Sequence, residues 1–103
     1  MLVLRTDIAL DYLAQLSGVV GAPAAMRSFN AWHALTLAAA WGQPADVKAA
    51  HPKASILRAG RVVFNIKAND FRLVCQVNYL AGTVEIRFFG THQEYNNINA
   101  GTI

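Results

Sequence analysis

Residues 61–79 read RVVFNIKANDFRLVCQVNY and residues 84–95 read VEIRFFGTHQEY, and these two stretches decide the fold. Apolar and polar side chains alternate along both, which is the pattern of β-strands that bury one face. Three strands are therefore predicted, joined by tight connections at 68–70 and 81–83. The face predicted to be buried consists of Val62, Phe64, Ile66, Phe71, Leu73, Cys75, Val77, Val84, Ile86 and Phe88.

The opposite face of the same strands is predicted to be polar and rich in cations. Its members are Arg61, Asn65, Lys67, Arg72, Gln76, Asn78, Glu85 and Arg87. Guanidinium and ammonium groups bind phosphate oxygens. With His92 and Tyr95 at the exit of the last strand, this face favours the binding and cleavage of RNA.

The first half of the chain is helical in character. A first helix is predicted to be capped by Asp7, and a second to run from Pro23 to about Trp41. Residues 54–57 predict a short edge strand. Helices that precede an antiparallel meander are typical of an α+β fold, here with the N-terminal helices packed on one sheet face. At 103 residues, the chain is predicted to be a single domain, 1–103.

Composition narrows the class of partner. Residues 47–103 contain seven of the nine Lys and Arg residues but only three of the six acids. Such a bias favours a polyanionic partner, and an ordinary solvated surface explains it equally well. No apolar run reaches the roughly 18–20 residues of a membrane span, and no signal-peptide layout is visible. The lone Cys75 fits a reducing cytoplasm, as a buried structural thiol.

RNA cleavage without a metal needs cations on the phosphate and a group that exchanges protons. Arg72 and Arg87, on neighbouring strands, and Lys67 are candidates for the first task. His92 is a candidate for the second because imidazole titrates near neutrality. Tyr95 can pass a proton or stack on a base. Each has a structural alternative, since His92 suits a surface cap, the arginines can pair with Glu85, and Tyr95 can be a core contact.

Other chemistries have little support in the sequence. The three histidines and Cys75 lack zinc-ligand spacing. The glycines stand singly at turns instead of forming a phosphate-binding loop. The acids are too few and too scattered for a two-metal nuclease site. No metal and no cofactor are predicted.

The runs QPADVK at 43–48, GRVVFNIKANDFRLV at 60–74 and IRFFGTHQEY at 86–95 resemble the HigB-type toxins of the RelE-like group. The resemblance extends from about residue 32 to residue 103. It implies a cytoplasmic, metal-independent α+β endoribonuclease that cleaves mRNA, typically in the ribosomal A site. It also implies a HigA-like antitoxin with a helix-turn-helix. The toxin would contact DNA only through this antitoxin.

The resemblance also implies roles for individual residues. Lys67 and Arg72 stand where RelE-like toxins keep phosphate-binding cations, and His92 and Tyr95 match the catalytic exit motif. Asn65 and Arg87 match the family pattern as substrate-binding residues. Arg61, on the same polar face of the predicted strands, is a further substrate-binding candidate that the resemblance does not supply. The chain departs from the family at Ala68, where glycine is frequent, and at Asn96, where aspartate is frequent.

Two readings of another class stay open at this point. One is a non-catalytic module that binds RNA or the ribosome through the same basic face. The other is a partner that acts only in repression by the antitoxin. The apolar stretch 34–41 and the basic face are both candidate surfaces for that antitoxin.

Overall fold

The computed structural model describes residues 1–103 and contains five strands and four helices. The α+β class predicted from the sequence is confirmed. The strands are Leu2–Leu4 (β1), Ser55–Ile56 (β2), Arg61–Ile66 (β3), Phe71–Asn78 (β4) and Thr83–Thr91 (β5). The helices are Thr6–Gln15 (α1), Ala22–Ala38 (α2), Pro44–Ala50 (α3) and His92–Tyr95 (α4).

All five strands form one sheet with the order β1-β5-β4-β3-β2. The strands β2 to β5 pair antiparallel, as the meander predicts, and β2 is the short edge strand expected at 54–57. β1 lies parallel to β5 at the other edge, so the sheet is mixed and not purely antiparallel. β1 was not predicted from the sequence, because three residues are too few to show an alternation.

The larger core joins α1, α2 and α3 to one set of alternating sheet residues. Phe29 and Trp32 of α2 pack edge-on against Phe89 and Phe64, with ring centroids 6.1 Å and 5.4 Å apart. Cys75 is fully buried within this core, and burial raises the pKa of its thiol. The structural role predicted for Cys75 is confirmed.

A β-bulge between β4 and β5 changes the predicted burial of one aromatic residue. Val74 pairs with Phe88 and Cys75 pairs with Ile86, which leaves Arg87 as an extra residue on β5. One extra residue reverses the alternation beyond it. Phe89 therefore enters the larger core, and the prediction that Phe88 lies there is wrong.

Residues 96–103, the C-terminal segment, fold over the sheet face that was predicted to be open. A second apolar cluster forms there around Val63, Val74 and Ala100. Arg61 donates hydrogen bonds to the backbone oxygens of Ala100 and Ile103, and Arg87 Nε donates to the Ile103 oxygen at 3.1 Å. The prediction of one open cationic face is therefore wrong.

The helix ends also differ from the predicted ones. α2 stops at Ala38, and the chain then extends so that Trp41 is buried against Phe64, with stacked rings 6.1 Å apart. Asp7 does not cap α1, because its carboxylate accepts from the Arg5 side chain at 2.9 Å. None of the helices combines the length and the apolar character that crossing a membrane requires.

Candidate functional site

The loop between β3 and β4, Lys67 to Asp70, organises the candidate site. Lys67 and Ala68 both adopt left-handed backbone conformations, with φ of 51° and 54°. For residues other than glycine this costs roughly 1–2 kcal/mol each, and such strain concentrates at functional sites. The Asp70 N–H donates to the Lys67 carbonyl at 3.1 Å and closes the loop.

Lys67 is fixed by contacts with α2 and with its own loop. Its backbone N–H donates to Ser28 Oγ at 2.8 Å, and its Nζ lies 3.1 Å from Asp70 Oδ2. The ammonium also lies against Gly21, where an added Cβ would come within 2.6 Å of Nζ. Gly21 has a φ of +88°, a left-handed conformation that favours glycine, whereas the flexible Lys67 side chain could move away from an added Cβ.

His92 is brought to the same loop by the start of α4. Its backbone N–H donates to the Asp70 carbonyl at 3.1 Å, and its side chain is exposed. Thr91 caps α4 through its hydroxyl, which accepts from the Glu94 N–H at 3.1 Å. The imidazole is therefore presented to solvent from a capped helix beside the strained loop.

Lys67 and His92 line one cleft of about 530 Å³, which we call the His92 cleft. One wall is apolar and belongs to the connection between α1 and α2, whereas the other carries the charged and polar groups. The residues that define it are Leu16, Val19, Val20, Lys67, Asp70 and His92. An ammonium and an imidazole facing an apolar wall suit a ligand that has both an anionic group and a flat uncharged part.

Arg72 does not line this cleft itself, but its guanidinium contacts the backbone at the edge of the cleft. Its guanidinium donates to the carbonyl oxygens of Asn69, at 2.9 Å, and Phe71, at 3.2 Å, and Asn69 itself lines the His92 cleft. Arg72 pairs across the sheet with Asn65, whose side chain donates to Asn69 at 3.3 Å. Both of its hydrogen-bond partners are carbonyl oxygens, so no acidic side chain competes with an incoming anion for the Arg72 guanidinium.

The structure does not bring the remaining predicted residues into the His92 cleft. Tyr95 is half-buried against the second apolar cluster, which agrees with the alternative of a core contact. Arg61 pairs with Gln76, which lies four residues from Arg72 along β4. At about 3.3 Å per residue, Gln76 is roughly 13 Å from Arg72. Together with Arg87, Arg61 holds the C-terminal segment.

The alternative in which the arginines pair with Glu85 is confirmed for Arg87, and Lys67 also has an acidic partner. Lys67 pairs with Asp70 at 3.1 Å, and Arg87 pairs with Glu85 at 3.0 Å. Both pairs are solvent-exposed, and exposed ion pairs contribute only about 0–1 kcal/mol. A phosphate can therefore displace Asp70 from Lys67 at little cost.

The residues that hold α4 in place were missed at the sequence level. Glu94 Oε1 accepts from the Thr91 N–H at 2.9 Å and from the hydroxyl of Tyr12 on α1 at 2.5 Å. The spacing Thr-x-x-Glu at 91–94 is the signal of a capping box and would have identified Glu94. No local pattern indicates Tyr12, which is 82 residues away in the chain.

The Tyr12–Glu94 contact predicts an acid-dependent loss of stability. The Tyr12 hydroxyl is the main cause that lowers the pKa of Glu94 below its ordinary 4.5. Glu94 therefore stabilises the fold above about pH 4.5, and this contribution is lost as the pH falls through the lowered pKa. Tyr12→Phe is expected to lower the free energy of unfolding by about 1 kcal/mol at neutral pH. It should also reduce the fall of this free energy towards acid pH, its acid limb, as measured by urea denaturation.

Tyr79→Phe is the matched control, because the buried Tyr79 hydroxyl has no hydrogen-bond partner. This variant should retain the acid limb of the parent chain. An unchanged acid limb in Tyr12→Phe would show that the contact with Glu94 does not contribute to stability.

The fold and the site define an α+β protein whose cleft carries a lysine, its aspartate partner and an exposed histidine. A family model for the HigB toxin, described as the RelE-like toxic component of a toxin–antitoxin system, matches residues 25–98. The chain belongs to this family, and its membership implies an antitoxin partner. A comparison with curated proteins found no match.

Proposed function

We propose that this toxin is an endoribonuclease that cleaves mRNA without a metal ion, in the ribosomal A site, and thereby inhibits translation. The observation that carries the proposal is the convergence of Lys67 and His92 in one cleft with Arg72 at its edge. Family membership supports the same conclusion, since RelE-like toxins are generally ribonucleases.

These side chains include every kind of group that the reaction needs. The 2′-oxygen attacks the phosphorus, its proton passes to a base, and the bond from phosphorus to the 5′-oxygen breaks. The 5′-oxygen then takes a proton from an acid, which leaves a cyclic phosphate and a 5′-hydroxyl. Positioned acids and bases contribute typically 10²–10⁴-fold to such steps.

The residues take the following roles in this proposal. Lys67 and Arg72 bind the oxygens of the scissile phosphate and stabilise the added negative charge. His92 exchanges the proton with one of the two reacting oxygens. Tyr95, one helical turn beyond His92 and half-buried, supports it by passing a proton or stacking on a base.

The proposal extends to partners and location. The toxin acts in the cytoplasm, on the ribosome, and is neutralised by a HigA-like antitoxin with a helix-turn-helix. It meets operator DNA only through that antitoxin. A small helix-turn-helix gene next to the toxin gene is the expected genomic context.

Mapping of mRNA 5′ ends during expression tests the proposal. The parent chain should arrest growth and create new 5′ ends within coding regions, and Arg72→Ala should do neither. Arg58→Ala is the matched control, because Arg58 is exposed and lies outside the cleft. Growth arrest without new ends would support a non-catalytic ribosome-binding module, and no arrest by the parent would support a role in repression alone.

A further inference from the structure

We propose that a second cleft, beside the His92 cleft, binds an unpaired nucleobase of the RNA next to the scissile phosphate. The inference rests on the proposed function and adds a recognition site that the catalytic residues do not explain. We call it the His51 cleft. It has a volume of about 360 Å³ and is defined by Ala50, His51, Lys53, Phe64, Asn65 and Asn69.

The size of the cleft favours a small ring system over a macromolecular segment. Pockets that enclose small ligands measure roughly 300–1,000 Å³, and this one lies near the lower end of that range. Its walls come from the end of α3, from β3 and from the β3–β4 loop, so rigid elements bound it on two sides. One base is an occupant of suitable dimensions.

The interior of the cleft carries no formal charge. The His51 ring packs edge-on against Phe64, 5.0 Å away, and against Trp41, 5.8 Å away, and its Nε2 atom is buried without a hydrogen-bond partner. Burial lowers the pKa of His51 and so favours its neutral form. An uncharged aromatic ligand therefore fits the interior better than a phosphate does.

The polar groups at the mouth match a nucleobase that is attached to a backbone. Asn65 and Asn69 present amide donors and acceptors, which pair with base edges. The bond between these two side chains is long, at 3.3 Å, and is easily exchanged for bonds to a ligand. Lys53 is exposed at the rim, where the sugar-phosphate backbone would pass.

Continuity with the His92 cleft decides in favour of RNA as the occupant. Asn69 lines both clefts, and the β3–β4 loop separates them. A single strand that crosses this loop places its phosphate near Lys67 and a neighbouring base in the His51 cleft. Recognition of splayed single-stranded bases is the usual mode of sequence-specific RNA binding.

The three histidines allow a direct test, because each reports on a different region. His51 lies in the proposed base site, His92 in the catalytic cleft and His33 in neither. The probe is a 2′-O-methyl adenosine trinucleotide, which cannot be cleaved, followed by the proton NMR signals of the imidazoles. The signals of His51 and His92 should shift saturably, and that of His33 should stay in place.

Ala50→Leu fills the His51 cleft without removing a hydrogen bond, and Ala49→Leu on the same helix is the matched control. Both alanines are exposed, and only Ala50 lines the cleft. Ala50→Leu should raise the midpoint of the His51 shift at least tenfold, and Ala49→Leu should leave it unchanged.

The outcomes separate this inference from the proposed function. A shift of His92 without one of His51 overturns the base site and leaves the nuclease proposal standing. A His51 shift that is equal in both leucine variants also overturns the base site. If neither signal moves, the base site is overturned, and the nuclease proposal is decided separately by the mapping of mRNA 5′ ends. Loss of antitoxin binding alone in Ala50→Leu would overturn the base site and assign the cleft to the antitoxin.

Discussion

Replacing His92 with alanine is expected to reduce the rate of mRNA cleavage by about 10²–10⁴-fold, the usual contribution of a positioned acid or base. His92 and Lys67 line the same cleft, and no other histidine lies there to substitute for His92. Its side chain is exposed, and α4 is held by Thr91 and Glu94. The variant should therefore fold like the parent chain. The measurement is the single-turnover rate on ribosomes programmed with a defined message.

His33→Ala is the matched control for this result. His33 is half-buried on α2, where it stacks on Trp32 with ring centroids 6.5 Å apart, and it lies outside the cleft. The His33→Ala variant should cleave mRNA at close to the rate of the parent chain. A His92→Ala variant that cleaves within a few-fold of the parent would remove His92 from the chemistry and would direct attention to Tyr95.

Replacing Phe89 with alanine is expected to destabilise the fold by about 3–5 kcal/mol, the range for large-to-small changes at buried aromatic residues. Phe89 is 4% exposed and stacks on Phe71 with centroids 5.5 Å apart. Its ring also meets Tyr12 and Phe29 edge-on, at 5.3 Å and 6.1 Å. The deletion would leave a cavity between α1, α2 and the sheet. Urea denaturation at neutral pH measures the loss.

Phe88→Ala is the comparison that tests the bulge. Phe88 is half-buried against the second cluster, so its loss should cost at most about 2 kcal/mol. An uninterrupted alternation would bury Phe88 and expose Phe89, and would predict the opposite order. A larger effect at Phe88 than at Phe89 would therefore contradict the register described above.

Much of the fold could be predicted because strand alternation is a local property. The period of two in residues 61–79 identified β3, β4 and their buried faces, with Val62, Phe64 and Leu73 all in the larger core. The bulge at Arg87 was not predicted, because the sequence around it, Ile86-Arg87-Phe88-Phe89, is compatible with both registers. Pairing with β4 is what selects one of them.

The candidate site was predicted in part for a similar reason. Lys67 and His92 belong to short stretches with recognisable features, the hairpin loop and the exit of the last strand, and the fold brings both to one cleft. Arg61 and Arg87 were assigned to the same face by alternation alone. Alternation gives the face of a residue but not what covers that face, and here the C-terminal segment does so.

The sequence by itself determined the α+β class, the three long strands, the buried Cys75 and the toxin family, because each depends on the order of neighbouring residues. Only the tertiary structure decided which cations stay accessible, where Phe88 and Phe89 point, and that Tyr12 holds Glu94. These depend on contacts between residues far apart in the chain, and no local pattern encodes such a contact. The proposed nuclease site therefore forms where two segments that the sequence identifies, the β3–β4 loop and the start of α4, come together in the fold.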